Sequence, residues 1–169
     1  MDPLKQFSIP LRGLKDGPHE YHFELDRAFF DHFEFKIDPS AGFQIKLTLD
    51  KRQDLSQLTV EVKALYQVPC DRCLADLKIP ISEQFNLILK NGEGESDDPD
   101  LLLVPAEAKE INLASTIFDF VSLSIPLSNR IDGCEELEPA PCDPEVLNKI
   151  QFASEPEVNP VWDELKKLK

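Results

Sequence analysis

The chain has 169 residues, 41% of them hydrophobic, and a formal net charge of −14 at pH 7. This length predicts one domain with a real core, and no apolar run approaches the roughly 18 residues of a membrane span or resembles a signal peptide. The four cysteines, only two of them close together, do not form the dense pattern of a secreted disulfide scaffold. We therefore expect a cytoplasmic protein.

In chain order, the first elements show apolar residues at every second position, which is typical of antiparallel strands with one buried face. An edge strand is predicted at 6–12, where Pro10 cannot donate a ladder hydrogen bond. Further strands are predicted at 21–25, 33–37 and 43–49. Between the second and third strands, a short helix is predicted over 27–31, capped by Asp26.

Two longer alternating segments, 58–68 and 77–89, enclose the stretch VPCDRCLADLKIP. The pattern therefore places Cys70 and Cys73 at a turn between two strands. Two thiols three residues apart in a tight turn suit a metal half-site, a redox pair or a buried contact.

After this hairpin, residues 91–100 contain no large apolar side chain and are predicted to form a solvated acidic loop. For 101–104, a strand is slightly favoured. The apolar spacing then becomes helical and predicts a helix near 113–123, with Asn112 as its cap. Pro126 is expected to end that helix.

The last part of the chain begins with a predicted linker at 130–141, rich in Glu, Pro and Asp. A short helix is predicted after it at 144–150, and a second at 159–169. A helix this short is not stable alone in water, so the second should dock through Trp162. Its docking surface belongs either to this chain or to a partner.

Together these elements predict an α+β fold, with a mainly antiparallel β body of six to eight strands, one packed helix and a short-helix C-terminal appendage. The predicted division is a β domain at 1–130 and an acidic linker with two short helices at 131–169.

The charge is unevenly distributed. Residues 1–90 hold 12 Lys+Arg and 14 Asp+Glu, a net −2, whereas residues 91–169 hold 6 and 18, a net −12. A protein that bound mainly through phosphate contacts would show a basic excess. The acidity favours a basic protein partner or simple solubility. Any RNA contact is expected from a local patch on the solvent-facing sides of the strands, formed by Lys46, Lys51, Arg52 and Lys63.

Four segments, in order, resemble the YceD family, bacterial proteins described as large ribosomal RNA subunit accumulation factors. The first holds Cys70, Arg72, Cys73, Leu74 and, a few residues later, Pro80. The others read VSLSIPLSNR, CDPEVLNKI and NPVWDELKKL. The last two are similar to the variant of relatives from the Bacteroidetes. The matches span most of the chain from about residue 43.

The resemblance implies a non-catalytic accessory factor in large-subunit production, acting on precursor 23S rRNA or on a basic ribosomal protein. No membrane and no small-molecule substrate is expected as a partner. An acidic holding module for a basic client, without RNA contact, is the alternative, and a thiol redox protein is a third. The candidate binding residues are Cys70, Arg72, Cys73, Leu74 and Trp162.

The four cysteines match the number of ligands in a structural zinc site. However, the spacing of Cys134 and Cys142 is not that of a zinc knuckle, so we expect packed or free thiols, with no metal and no cofactor. A thioredoxin-like role is disfavoured because the Cys70–Cys73 pair does not begin a helix.

Catalytic sets are also absent from the sequence. The three histidines fall within the first forty residues, and His19 and His22 are expected on opposite faces of a strand. No GxxxxGK[ST], GxGxxG or HExxH motif occurs. The sequence therefore predicts that the protein is not an enzyme.

Overall fold

The computed structural model describes residues 4–36, 42–52, 55–94, 96–131 and 142–153. The strands are β1 Ser8–Pro10, β2 Gly17–Glu24, β3 Gln44–Lys51, β4 Leu55–Pro69, β5 Asp76–Asn91, β6 Leu101–Val104 and β7 Glu110–Asn112. The helices are α1 Arg27–His32, α2 Ala114–Ser124 and α3 Pro144–Ala153, with a 3-10 turn at Lys5–Phe7. Among these described residues, no helix is long and apolar enough to span a bilayer.

The chain divides into two compact units. The first consists of Met1–Gln67 and Lys78–Leu127, and the second of Val68–Leu77 and Ser128–Lys169. The turn with the cysteine pair therefore belongs to the same unit as the C-terminal part of the chain. The predicted division into 1–130 and 131–169 remains a prediction.

Five strands form one sheet in the order β2-β3-β4-β5-β6, and β1 pairs with β7 in a separate two-stranded sheet. β2 runs antiparallel to β3, with Gly17 opposite Lys51, and β3 runs antiparallel to β4, with Asp50 opposite Gln57. β6 is parallel to β5, a pairing that alternation could not reveal. The predicted α+β fold with a mainly antiparallel body is confirmed.

The core of the first unit follows from alternation along the strands. Every second side chain is buried over residues 45–49 of β3 and 58–62 of β4, among them Leu47, Leu49, Val60 and Val62. Because successive side chains of a strand point to opposite faces, one face of the sheet becomes continuously apolar. The predicted packed helix covers part of this core: α2 buries Ala114, Ile117 and Val121.

The capping predicted from the sequence is confirmed for α1 and lies one residue away for α2. Asp26 begins α1, and its carboxylate accepts the N–H of Phe29 at 2.9 Å. The N-cap of α2 is Leu113 and not the predicted Asn112, although Asn112 Oδ1 accepts the N–H of Ala114 at 2.9 Å. α2 ends at Ser124, and Ile125 is extended, as expected of a residue before proline.

The strand predicted at 33–37 is wrong for the residues that the structure describes. Residues 33–34 form a turn and 35–36 are irregular, because Glu34 has a left-handed φ of 53°. The two phenylalanines instead belong to an aromatic cluster: Phe33 stacks on Phe118 at 4.2 Å between ring centroids, and Phe35 meets the same ring at 5.4 Å. Their apolar character reflects this packing.

The strand predicted at 6–12 is shorter than expected. Only Ser8–Pro10 is extended, and it pairs with β7, which the sequence did not indicate. Asn112 reinforces this sheet because its Nδ2 donates to the Leu4 carbonyl at 2.8 Å and to the Ser8 hydroxyl at 3.1 Å. Pro10 lies in a two-stranded sheet, consistent with an edge position.

Candidate functional site

The candidate site is the turn between β4 and β5, which belongs to the second unit. The Cys70 N–H donates to the Ala75 carbonyl at 2.8 Å, and the Leu74 N–H donates to the Cys70 carbonyl at 3.0 Å. These bonds close the turn and place Cys70 and Cys73 inside, at 1% and 2% exposure. The predicted position of the pair, between two strands, is confirmed.

The sulfur atoms accept hydrogen bonds from the backbone. The Arg72 N–H donates to Cys70 Sγ at 3.4 Å. The backbone N–H of Ala75 lowers the pKa of Cys73 most, and the N–H of Asp143 and the thiols of Cys70 and Cys142 add to this, against the opposing effect of burial. The turn therefore favours the thiolate form of Cys73, since hydrogen bonds donated to a charged group stabilise it.

Cys142 is the cysteine that sequence reasoning did not place beside the turn. It precedes α3, whose first turn is capped by Asp143: this carboxylate accepts the N–H of Glu145 at 2.9 Å. No disulfide joins the described cysteines Cys70, Cys73 and Cys142, and Cys134 lies outside the described residues. Within the part of the chain that the structure describes, no group of three or more His, Cys, Asp or Glu side chains is arranged to hold a metal ion. The expected absence of a metal remains a prediction.

A second contact holds the turn from outside. The Asp71 N–H donates to the Asn129 carbonyl at 2.9 Å, and the Asn129 N–H donates to Asp71 Oδ2 at 2.7 Å. Asn129 Nδ2 lies 3.4 Å from Asp71 Oδ1. Asn129 lies in VSLSIPLSNR, one of the segments that resemble the YceD family. Membership of that segment was the one feature of the sequence that could have pointed to Asn129.

Arg72 and Leu74 point outward from the same turn. Both are exposed, and Leu74 is 71% exposed. Leu74 also has a φ of 60°, in the left-handed region that costs a residue with a Cβ about 1–2 kcal/mol. The structure thus brings four of the five candidate residues into one turn, two buried and two exposed. The fifth, Trp162, lies outside the described residues.

The predicted basic patch is divided by the structure. Lys46 pairs with Glu20 at 2.8 Å, and Lys63 pairs with Glu61 at 3.4 Å. The hydrogen bond between Lys46 and Glu20 lowers the pKa of Glu20 and raises the pKa of Lys46. The expectation of a solvent-facing Lys51 is wrong: it continues the buried face of β3 after Leu49, and it is half-buried.

Comparison with known proteins adds one match. The chain is similar to the family described as "Large ribosomal RNA subunit accumulation protein YceD", over residues 58–169. This range includes the cysteine turn, α2 and α3. No curated protein and no solved structure matches the chain.

Proposed function

The chain belongs to the YceD family, and from this we propose that it is a non-catalytic accessory factor in the accumulation or assembly of the large ribosomal subunit. It acts in the cytoplasm by binding precursor 23S rRNA or a basic protein of that subunit. The family description names large ribosomal RNA subunit accumulation, which supports a role in the production of that subunit. The exposed surface of the cysteine turn supports the proposal that the protein acts by binding.

The observation that carries the proposal is the outer side of the cysteine turn. Leu74 is both exposed and left-handed, and neither property benefits the fold of the isolated chain. Arg72, two residues earlier, is exposed on the same turn. A guanidinium can bind a phosphate or a carboxylate with two parallel hydrogen bonds. An arginine beside an exposed leucine therefore offers a partner both a charged and an apolar contact.

Cys70 and Cys73 have a supporting role in this proposal. Their burial and the N–H groups that point at their sulfur atoms fix the inner side of the turn. The paired hydrogen bonds between Asp71 and Asn129 fix its edge. A preorganised loop loses little conformational entropy on binding, so this framework favours affinity at Arg72 and Leu74.

Trp162 contributes through the predicted C-terminal helix at 159–169. That helix is too short to be stable alone, and its apolar residues require a surface to cover. In this proposal the surface belongs to the ribosomal partner. The argument rests on the sequence, because these residues lie outside those that the structure describes.

The proposal is tested by sedimenting a tagged full-length chain with ribosomal precursors and identifying the bound RNA and proteins. Arg72→Ala is expected to reduce association and leave the melting temperature unchanged. Arg27→Ala is the matched control, because it removes an exposed arginine from α1 in the first unit. Intact association of Arg72→Ala, together with a lower melting temperature, would show that Arg72 serves the fold instead.

A second candidate, an acidic holding module for a basic client, is favoured by the net charge of −14 and its concentration in residues 91–169. The composition of the complex that sediments without ribonuclease treatment distinguishes the two. A complex that contains isolated basic proteins and no ribosomal precursor supports the holding module. Recovery of precursor particles supports the accessory factor.

A further inference from the structure

A cavity of about 350 Å³ lies in the first unit, where several strands of the large sheet end. This volume is within the range of about 300–1,000 Å³ that is usual for ligand sites. The described residues that line it come from the turn after β1, the end of β3, the start of β4, the end of β5 and the stretch that follows β6. Nothing in the cysteine turn contributes to it.

The lining carries one sign of charge. Arg12, Lys51, Arg52 and Lys90 all line the cavity, and no acidic residue does so among the described residues. The lining of this cavity is therefore positively charged, although the chain as a whole has a net charge of −14. A cleft lined by a single sign of charge concentrates the field and attracts ligands of the opposite sign.

Lys51 is the fixed charge of this cluster. Lys51 lies on the core-facing side of β3, and its side chain extends towards the turn after β1. There Nζ donates to the carbonyls of Leu11 and Leu14, both at 2.9 Å. These acceptors are neutral, so they orient the ammonium without cancelling its charge. An ammonium has three N–H donors, and the two carbonyls engage two of them.

The two arginines are held by carboxylates that do not line the cavity. Arg12 Nη2 lies 3.0 Å from Glu107 Oε2, and Arg52 donates to Asp50 Oδ2 from Nε at 3.0 Å and from Nη2 at 2.7 Å. The exposed pair of Arg12 with Glu107, whose side chain is 95% exposed, contributes little to stability. Each guanidinium has five N–H donors, so it can bind a phosphate while keeping or exchanging its carboxylate.

We propose that this cavity binds phosphodiester groups of RNA. Lys51 supplies a preoriented ammonium, and Arg12, Arg52 and Lys90 contact neighbouring phosphates from the exposed rim. The choice of RNA over a free phosphate compound rests on the proposed function. The contact is with the backbone and independent of sequence, because the cations address phosphate oxygens and not base edges.

The test measures binding of the purified full-length chain to a fluorescent 23S rRNA transcript at several salt concentrations. Arg52→Gln and Lys90→Gln should each weaken binding about tenfold at low salt and reduce the salt slope by about 1. Arg27→Gln and Lys36→Gln remove the same charge from exposed positions outside the cavity and should leave binding unchanged. Lys51 is not substituted, because its ammonium also anchors the turn after β1.

Equal effects of the cavity and control variants would overturn the inference, as would binding that neither cavity variant changes. Inorganic phosphate and adenosine monophosphate serve as competitors. If either binds the cavity as tightly as the transcript does, the occupant is a free phosphate compound and not RNA. If the cavity variants still sediment normally with ribosomal precursors through the cysteine turn, the cavity inference fails while the proposed function stands.

Discussion

Replacing Leu74 with asparagine separates recognition from folding at the cysteine turn. Leu74 has a φ of 60° and is 71% exposed. Asparagine adopts the left-handed region more readily than leucine, because its short polar side chain hydrogen-bonds locally. The substitution therefore relieves backbone strain while it removes the exposed apolar surface.

The expected change in stability is small because two effects offset each other. Strain relief contributes up to about 1–2 kcal/mol. Full burial of a leucine side chain contributes about 1.5–3 kcal/mol, and Leu74 is less than a third buried, so its loss costs roughly 0.4–0.9 kcal/mol. The free energy of unfolding should change by no more than about 1.6 kcal/mol. For a chain of this size, that moves the melting temperature by about 3–6 °C at most.

Urea unfolding and sedimentation with ribosomal precursors measure the two effects on the same protein. Leu74→Asn is expected to retain stability and lose association several-fold. Leu123→Gln is the matched control, because Leu123 is also 71% exposed but lies in the regular helix α2. A loss of more than about 2 kcal/mol from Leu74→Asn with association intact would refute the assignment of Leu74 to recognition.

Three further predictions concern other parts of the chain. Asn112→Ala should lower the free energy of unfolding by about 1–2 kcal/mol in urea titration, because it removes the hydrogen bonds of the Asn112 side chain to Ala114, Leu4 and Ser8; an unchanged value would contradict a stabilising role of this side chain. The pKa of Cys73 in the folded protein lies below its value in the unfolded chain. The contribution of the thiolate to the free energy of unfolding is therefore lost as pH falls through the folded pKa. The stability difference between wild type and Cys73→Ser should therefore grow as pH rises towards the ordinary thiol pKa of about 8.5; a difference independent of pH would refute this. Removing 159–169 should leave the melting temperature of the β body nearly unchanged and weaken association with precursors; a large drop would place that helix in the core.

The sequence alone determined the elements whose pattern is local. Ile45, Leu47 and Leu49 alternate because one face of β3 is buried, and that period is visible without knowing the partner strand. Asp26 acts within three residues of its position, so its capping of α1 was also predictable. For the candidate site, this local pattern was enough to place Cys70 and Cys73 in a turn.

Tertiary structure decided what depends on distant partners. β7 is only three residues long, too short for a period, and it exists through pairing with β1 about a hundred residues earlier. Phe33 alternates with Phe35 as a strand would, yet packing on Phe118 determines its conformation. At the turn, Asn129 and Cys142 meet Asp71 and Cys73 only after folding. Periodicity reports which face of a segment is buried; it carries no information about which distant residue covers that face.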